Sequence, residues 1–236
     1  MTAEALAKKC LDIAANRKTL YVMGCFGSPL TPENKKRFSS NHPFNRAADR
    51  KKMINAADSN TFGFDCVNLI KGILWGWTGD KTKTHGGAAY ASNGVPDVSA
   101  DGMIKLCDNV GADFTNIEVG EAVWTDGHIG VYVGDGLAVE CTPKWDNCVQ
   151  VTAVGNIGAK PGYNTRTWKK HGKLPWVEYG QPKVRTRAEE INDFVWELAE
   201  RGIVTDKALW LKKAESDVNT YWLMKKFIAF IEKHNI

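Results

Sequence analysis

Gly63-Phe64-Asp65-Cys66-Val67-Asn68-Leu69-Ile70-Lys71-Gly72-Ile73-Leu74-Trp75 places an acidic residue, a cysteine and an apolar run in that order. Val67, Ile70 and Leu74 recur at helical steps, as do Leu69 and Ile73, which predicts a buried helix. Asp65 is a good N-cap, and Gly63 gives the backbone room to turn just before it. Cys66 then sits at or beside the helix N-terminus. Free N–H groups and the positive end of the helix dipole favour a thiolate there. The same N–H groups suit a developing oxyanion. On this stretch alone, a small buried hydrophobe is an equally good reading of Cys66.

Downstream, residues 126 to 141 read as a β-hairpin. Ile129, Val131 and Val133 alternate with Gly130 and Tyr132, Gly134-Asp135-Gly136 signals a tight turn, and Leu137 to Cys141 returns. His128 starts the first strand and Glu140 lies near the end of the second. In a hairpin those ends are neighbours, so Glu140 is placed to orient and charge-stabilise His128. A cysteine, a histidine that takes its proton and a third group that fixes the histidine form a nucleophile–base–orienter set.

Phe64-Asp65-Cys66 followed by a helix, with Gly127-His128-Ile129-Gly130-Val131-Tyr132-Val133-Gly134-Asp135-Gly136, resembles the NlpC/P60 cysteine peptidases. These are papain-like peptidoglycan hydrolases of bacterial cell-wall enzymes and phage endolysins. The resemblance spans roughly residues 5 to 179. It implies an α+β, papain-like NlpC/P60 fold in which the helix bearing the nucleophile packs on an antiparallel sheet. It implies catalytic Cys66, His128 and Glu140, with glutamate in a third position that is often histidine. The family's usual Phe-Asp-Cys-Ser-Gly motif departs here to Val67-Asn68, which alters the packing behind the nucleophile but not its position. Leu20-Tyr21-Val22-Met23-Gly24 resembles the family's Tyr-x-x-Gly segment, which puts Tyr21 beside the thiol. The family segment matching 120–125 ends in an aromatic residue at the rim of the site, here Trp124. Tyr21, Asp65 and Trp124 are thus the expected substrate-binding residues.

The composition narrows the classes. A chain of 236 residues, 43% hydrophobic and 25% charged, supports one substantial core plus a small appendage. No apolar run approaches the ~18 residues of a membrane span. Met1 to Lys9 lacks the charged and apolar regions of a signal peptide, so synthesis in the cytoplasm is expected, with action on the cell wall after release or delivery. The six cysteines show no C-x-x-C spacing and the five histidines no H-E-x-x-H pattern, so neither a metal nor another cofactor is expected. Cys141 and Cys148 flank a loop that a disulfide would close, but none is expected. The net charge of +4 suits an anionic wall polymer. No basic cluster is interleaved with aromatics, so nucleic acid is not an expected partner.

Around these motifs, residues 3–17 read as an amphipathic helix with Leu6, Cys10, Ile13 and Ala14 on one face. Residues 27–62 form a polar insertion rich in turn formers, helical from Asn45 to Ala57, that is expected to wall the substrate groove. Its His42 reads as a plain loop residue. Trp75 and Trp77 read as core closure, Ser99 to Asn109 as a short helix, and 120–125 and 148–154 as strands. Residues 1–180 form the expected catalytic domain. Gly180-Gln181-Pro182-Lys183 reads as a linker. Thr186-Arg187-Ala188-Glu189 fits a capping box opening a small helical module over 186–236. There Ile191, Phe194, Val195 and Leu198 form one apolar face, Ala208, Leu209 and Leu211 a second, and Trp222, Leu223, Lys226, Phe227, Phe230 and Ile231 a third. The module loosely resembles those appended to phage lysins, which implies wall targeting; a stability appendage or dimer contact fits equally well.

The expected activity is cleavage of a stem-peptide amide of bacterial peptidoglycan. An endopeptidase and an N-acetylmuramoyl-L-alanine amidase both fit, since each reaction is acyl transfer to water. A papain-like acyltransferase or deamidating enzyme uses the same thiol chemistry, and a non-catalytic wall-binding protein shares the fold.

Overall fold

The computed structural model describes residues 1–180 and 187–234, and the chain divides into two compact units, Met1–Tyr179 and Gly180–Ile236. Both are built from the periodicities above, and the first is an α+β unit. It opens with α1 (Ala3–Asn16), capped by the Thr2 hydroxyl, which accepts from the Ala5 N–H at 3.2 Å. Leu6, Cys10 and Ile13 of α1 are buried. Strands β1 (Thr19–Tyr21), β2 (Phe26–Pro29) and β3 (Phe62–Phe64) form a small sheet in the order β1-β3-β2, with β1 and β3 parallel.

The polar insertion is more ordered than its composition suggests. It contributes β2 and then three helices: α2 (Pro32–Asn41), α3 (Pro43–Arg46) and α4 (Ala48–Ala56). Pro32 and Pro43 stand at the first helical position, where a missing N–H costs nothing. Phe38 and Ile54 pack with Val22, Cys25 and Leu30 into a satellite core.

Helix α5 (Cys66–Leu74) is buried along its whole length. Leu69, Ile70 and Ile73 each contribute about 1.5–3 kcal/mol by leaving water. Trp75 and Trp77 close the core beneath it, and their indole N–H groups donate to Val95 O and Gly27 O, each at 2.9 Å. Next come α6 (Ala100–Leu106) and the seven strands of the main sheet: β4 (Asp108–Gly111), β5 (Ala122–Thr125), β6 (His128–Gly134), β7 (Leu137–Cys141), β8 (Val149–Val154), β9 (Thr165–Arg166) and β10 (Lys170–Lys173).

Their order is β4-β10-β5-β6-β7-β8-β9. All pairings are antiparallel except β8 with β9, so the sheet is mixed where a purely antiparallel one was expected. Ile129, Val131, Val139 and Cys141 face the core shared with α1 and α5. The alternate positions Tyr132 and Ala138 join Phe114 and Trp168 in a second cluster. Cys141 and Cys148 are both free thiols; Cys141 Sγ is turned to Phe64 O at 3.3 Å.

The second unit consists of α7 (Arg187–Glu200), α8 (Lys207–Ser216) and α9 (Val218–His234). Gly202, at φ +72°, ends the α7 segment. Thr186 of the expected capping box and linker residues 181–183 lie outside the described residues, as do the side chains of Glu189 and Ile231. The core joins Ile191, Val195 and Leu198 to Val204, Ala214, Tyr221, Met224 and Ile228. This corrects the expected phase of α9: Trp222, Leu223, Phe227 and Phe230 are exposed. Tyr221, Met224 and Ile228 share one side of a helix with 3.6 residues per turn, which turns those four away from it. In α8, Leu209 is likewise exposed, and Ala214 is the buried position.

Candidate active site

The site begins with the cap of α5. Asp65 is extended, and its Oδ1 accepts from the Asn68 N–H at 2.8 Å. Its Oδ2 accepts from Asn68 Nδ2 at 2.7 Å and from the Gly24 N–H at 2.8 Å. Asn68 thus adds a second arm to the cap. Asp65 borders the groove, but its oxygens are committed to internal donors. It ties the Tyr21–Gly24 segment to the start of α5.

Cys66 is the first residue of α5 and is 7% exposed. Its Sγ lies 4.0 Å from Gly127 O, and the Ile129 N–H also reaches the sulfur. The thiol therefore rests against the backbone on both sides of His128. Burial, and then the Asp65 carboxylate, push the thiol up to about 12, against the opposing pull of N–H groups at the helix start. The helix start that the sequence placed beside this sulfur is therefore opposed by its surroundings. The helix terminus is present, but desolvation and a neighbouring anion outweigh its partial charge. The resting sulfur is a neutral thiol that needs a base.

His128 opens β6, and its Nε2 is hydrogen-bonded to Glu140 Oε2 on β7 at 2.6 Å. The imidazole stacks on Trp168, with centroids 5.6 Å apart and planes within 10°. Gly130 keeps that space open, because a Cβ there would sit 3.2 Å from the Trp168 ring and 2.8 Å from Val139 O. Among the described residues, nothing hydrogen-bonds to Nδ1 of His128.

Glu140 is fully buried. Thr152 Oγ1 on β8 donates to its Oε1 at 2.8 Å. Arg166 on β9 donates from Nε to Oε1 and Oε2 at 2.9 and 2.8 Å, and its Nη2 forms an ion pair with Oε2 at 2.7 Å. Burial would raise the carboxyl, yet the hydrogen bonds and charges of His128 and Arg166 hold it below its ordinary value. Sequence reasoning passed over Arg166 and Thr152, because hairpin geometry says nothing about strands added later.

A groove of about 370 Å³ opens over Cys66, lined also by Tyr21, Met23, His42, Lys71 and Asp97. Tyr21 is 4% exposed, and its phenol is held well above its ordinary range by burial and by Cys66 and Asp65. Its hydroxyl therefore stays protonated. His42, read as a plain loop residue, caps α3 by accepting from the Phe44 N–H at 3.1 Å and stands at the groove wall. Lys71 is buried inside α5 because it pairs with Asp97 and donates to Val98 O at 3.0 Å. Trp124 is not itself in the groove lining but is joined through Asp101 to Gly127, which is. Its Nε1 donates to Asp101 Oδ1 at 2.9 Å, and the Gly127 N–H donates to the same oxygen at 2.8 Å. Trp124 thereby braces the turn before His128 without lining the groove.

Among the described residues, no group of three or more His, Cys, Asp or Glu is placed to hold a metal ion. No described helix is long and apolar enough to cross a membrane. No protein-family model matches the chain, and no curated protein matches it.

Proposed function

We propose that the chain is a cysteine-dependent amide hydrolase of NlpC/P60-like, papain-like fold that cleaves a stem-peptide bond of bacterial peptidoglycan. One observation carries the chemistry: the thiol of Cys66 rests against the backbone flanking His128, while Glu140 holds Nε2 and leaves Nδ1 open. That geometry supports reading the three as a nucleophile, its base and the group that orients the base. Substrate class is supported by the motif resemblance and by a net charge of +5 outside residues 187–236, which suits an anionic polymer.

His128 Nδ1 takes the Cys66 proton as sulfur attacks the amide carbonyl. The charge developing on oxygen is met by N–H groups at the start of α5 and by the Tyr21 hydroxyl. The imidazolium, stabilised by Glu140, returns the proton to the leaving amine. Water, activated by the same imidazole, then releases the acyl group from sulfur. An endopeptidase and an amidase differ only in what the groove seats.

The test is mass spectrometry of purified peptidoglycan after digestion. New amino ends within the stem peptide, or at its L-alanine, are expected and identify the bond. Intact wall fragments, or an amine acceptor in place of water, would remove the hydrolase reading.

A further inference from the structure

The Glu140 carboxylate serves two basic side chains. His128 reaches it from β6 and Arg166 from β9, while β8 supplies only the Thr152 hydroxyl. The Arg166 guanidinium is itself fixed, lying 5.0 Å from the Trp145 ring centroid and 5.4 Å from that of Trp168. Its Nη2 also donates to Thr142 Oγ1 at 3.3 Å. Trp168, which carries the imidazole on its ring, is thus shared with the guanidinium. The other charged groups around His128 and Cys66 are Asp126, paired with Lys169 on the exposed turn, Asp101, which accepts from the Gly127 N–H at 2.8 Å, and Asp65 beside Cys66. Among the described residues, none of these contacts Glu140.

A fully buried carboxylate facing only an imidazole would bind a proton tightly, on one partner or the other. A protonated imidazole cannot take the thiol proton, and a protonated Glu140 cannot stabilise the imidazolium. A permanent cation on the same carboxylate lowers the proton affinity of the pair, whichever member holds the proton. Arginine suits this role because it stays charged and its planar fork spans both oxygens.

We propose that Arg166 is a positioning residue that shares Glu140 with His128 and thereby sets the acid edge of the pH range in which His128 can deprotonate Cys66. The inference rests on the reading of His128 as the base for Cys66. Its test does not need the wall substrate.

Arg166→Gln, Arg166→Met and Arg166→Lys are compared with the parent by the rate of iodoacetamide labelling at Cys66 against pH. Labelling is followed on the Cys66 peptide by mass spectrometry, and wall lysis is measured in parallel. The acid limb of labelling is expected to move up by about one pH unit in the two uncharged variants, the size of effect of removing one close charge. Arg166→Lys should leave the limb in place and lower the rate about five-fold, because an ammonium keeps the charge but loses the fork.

Unmoved limbs in Arg166→Gln and Arg166→Met would overturn the proposal and leave Arg166 as packing between two indoles. Should neither uncharged variant fold, Arg166→Lys decides: an unmoved acid limb supports the role of the charge, and a limb moved up by about one pH unit with the ammonium still in place overturns it. A moved limb in a protein that cuts no wall would sink the peptidoglycan reading alone.

Discussion

The main sheet carries two histidine–glutamate pairs, one partly buried and one buried, and they are built for different ends. His128 on β6 meets Glu140 through Nε2, and its Nδ1 has no partner among the described residues. His171 on β10 meets Glu121 through Nδ1 and Asp113 O through Nε2 at 2.9 Å, so both ring nitrogens are spent. Glu140 is shared with an arginine, whereas the carboxylate of Glu121, among the described residues, otherwise accepts only from the Glu118 N–H at 3.4 Å. Cys66 lies at the backbone of the first pair. The second sits 5.0 Å from Phe114, centroid to centroid. A histidine–carboxylate contact is therefore not in itself a catalytic sign. The nitrogen left over, and what stands near it, makes the difference.

The sharpest break in this comparison comes from the thiol. Cys66→Ala should abolish wall lysis while circular dichroism and melting stay close to the parent. Lytic activity above a few per cent in that variant would remove Cys66 as nucleophile and dissolve the distinction between the pairs.

Loss of the base comes next. With the thiol pushed up to about 12, Cys66 in His128→Ala should label slowly at neutral pH. Its rate should climb about tenfold per pH unit through the alkaline range, since only the thiolate reacts. The parent should label faster near pH 7 through the imidazole. Equal rates at pH 7 would show that His128 does not serve the thiol.

Glu140→Gln should lower turnover by about 10- to 1000-fold, a share of what positioned proton transfer contributes. Glutamine still accepts from the imidazole but offers no charge against imidazolium. It also leaves Arg166 facing a neutral group. A fully active variant would put the orienting role elsewhere.

How much of this was legible follows from sequence separation. His128 and Glu140 are twelve residues apart across a tight turn, so strand alternation alone predicts their meeting. The cap at Asp65 and the burial of α5 follow from local pattern in the same way. Arg166 reaches Glu140 from β9, a strand of two residues joined in parallel to β8. Neither its length nor its direction leaves a periodic trace. The pairing of Lys71 with Asp97 is hidden for a related reason, because Asp97 lies in an irregular stretch whose course is set by tertiary packing. The thiol's surroundings were legible only in part: helix position is readable in the sequence, but the balance between burial and the helix terminus is not. His171 and Glu121 stand fifty residues apart, and no local rule joins them.

The smallest effect on activity belongs to that second pair, and it tests the comparison from the other side. His171→Ala should leave lysis per folded molecule within about two-fold of the parent, because His171 neither lines the groove nor touches Glu140. It should instead lower stability. Removing the imidazole strands Glu121, which is 3% exposed, and breaking such a buried pair costs about 3 kcal/mol. For a domain of this size that corresponds to roughly 6–12 °C in Tm. Glu121→Gln should cost less, since the amide can still accept from the ring and leaves no buried charge. Calorimetry and wall lysis on the same preparations give both quantities. A large loss of activity in His171→Ala at unchanged Tm would mean that this pair, too, belongs to the chemistry.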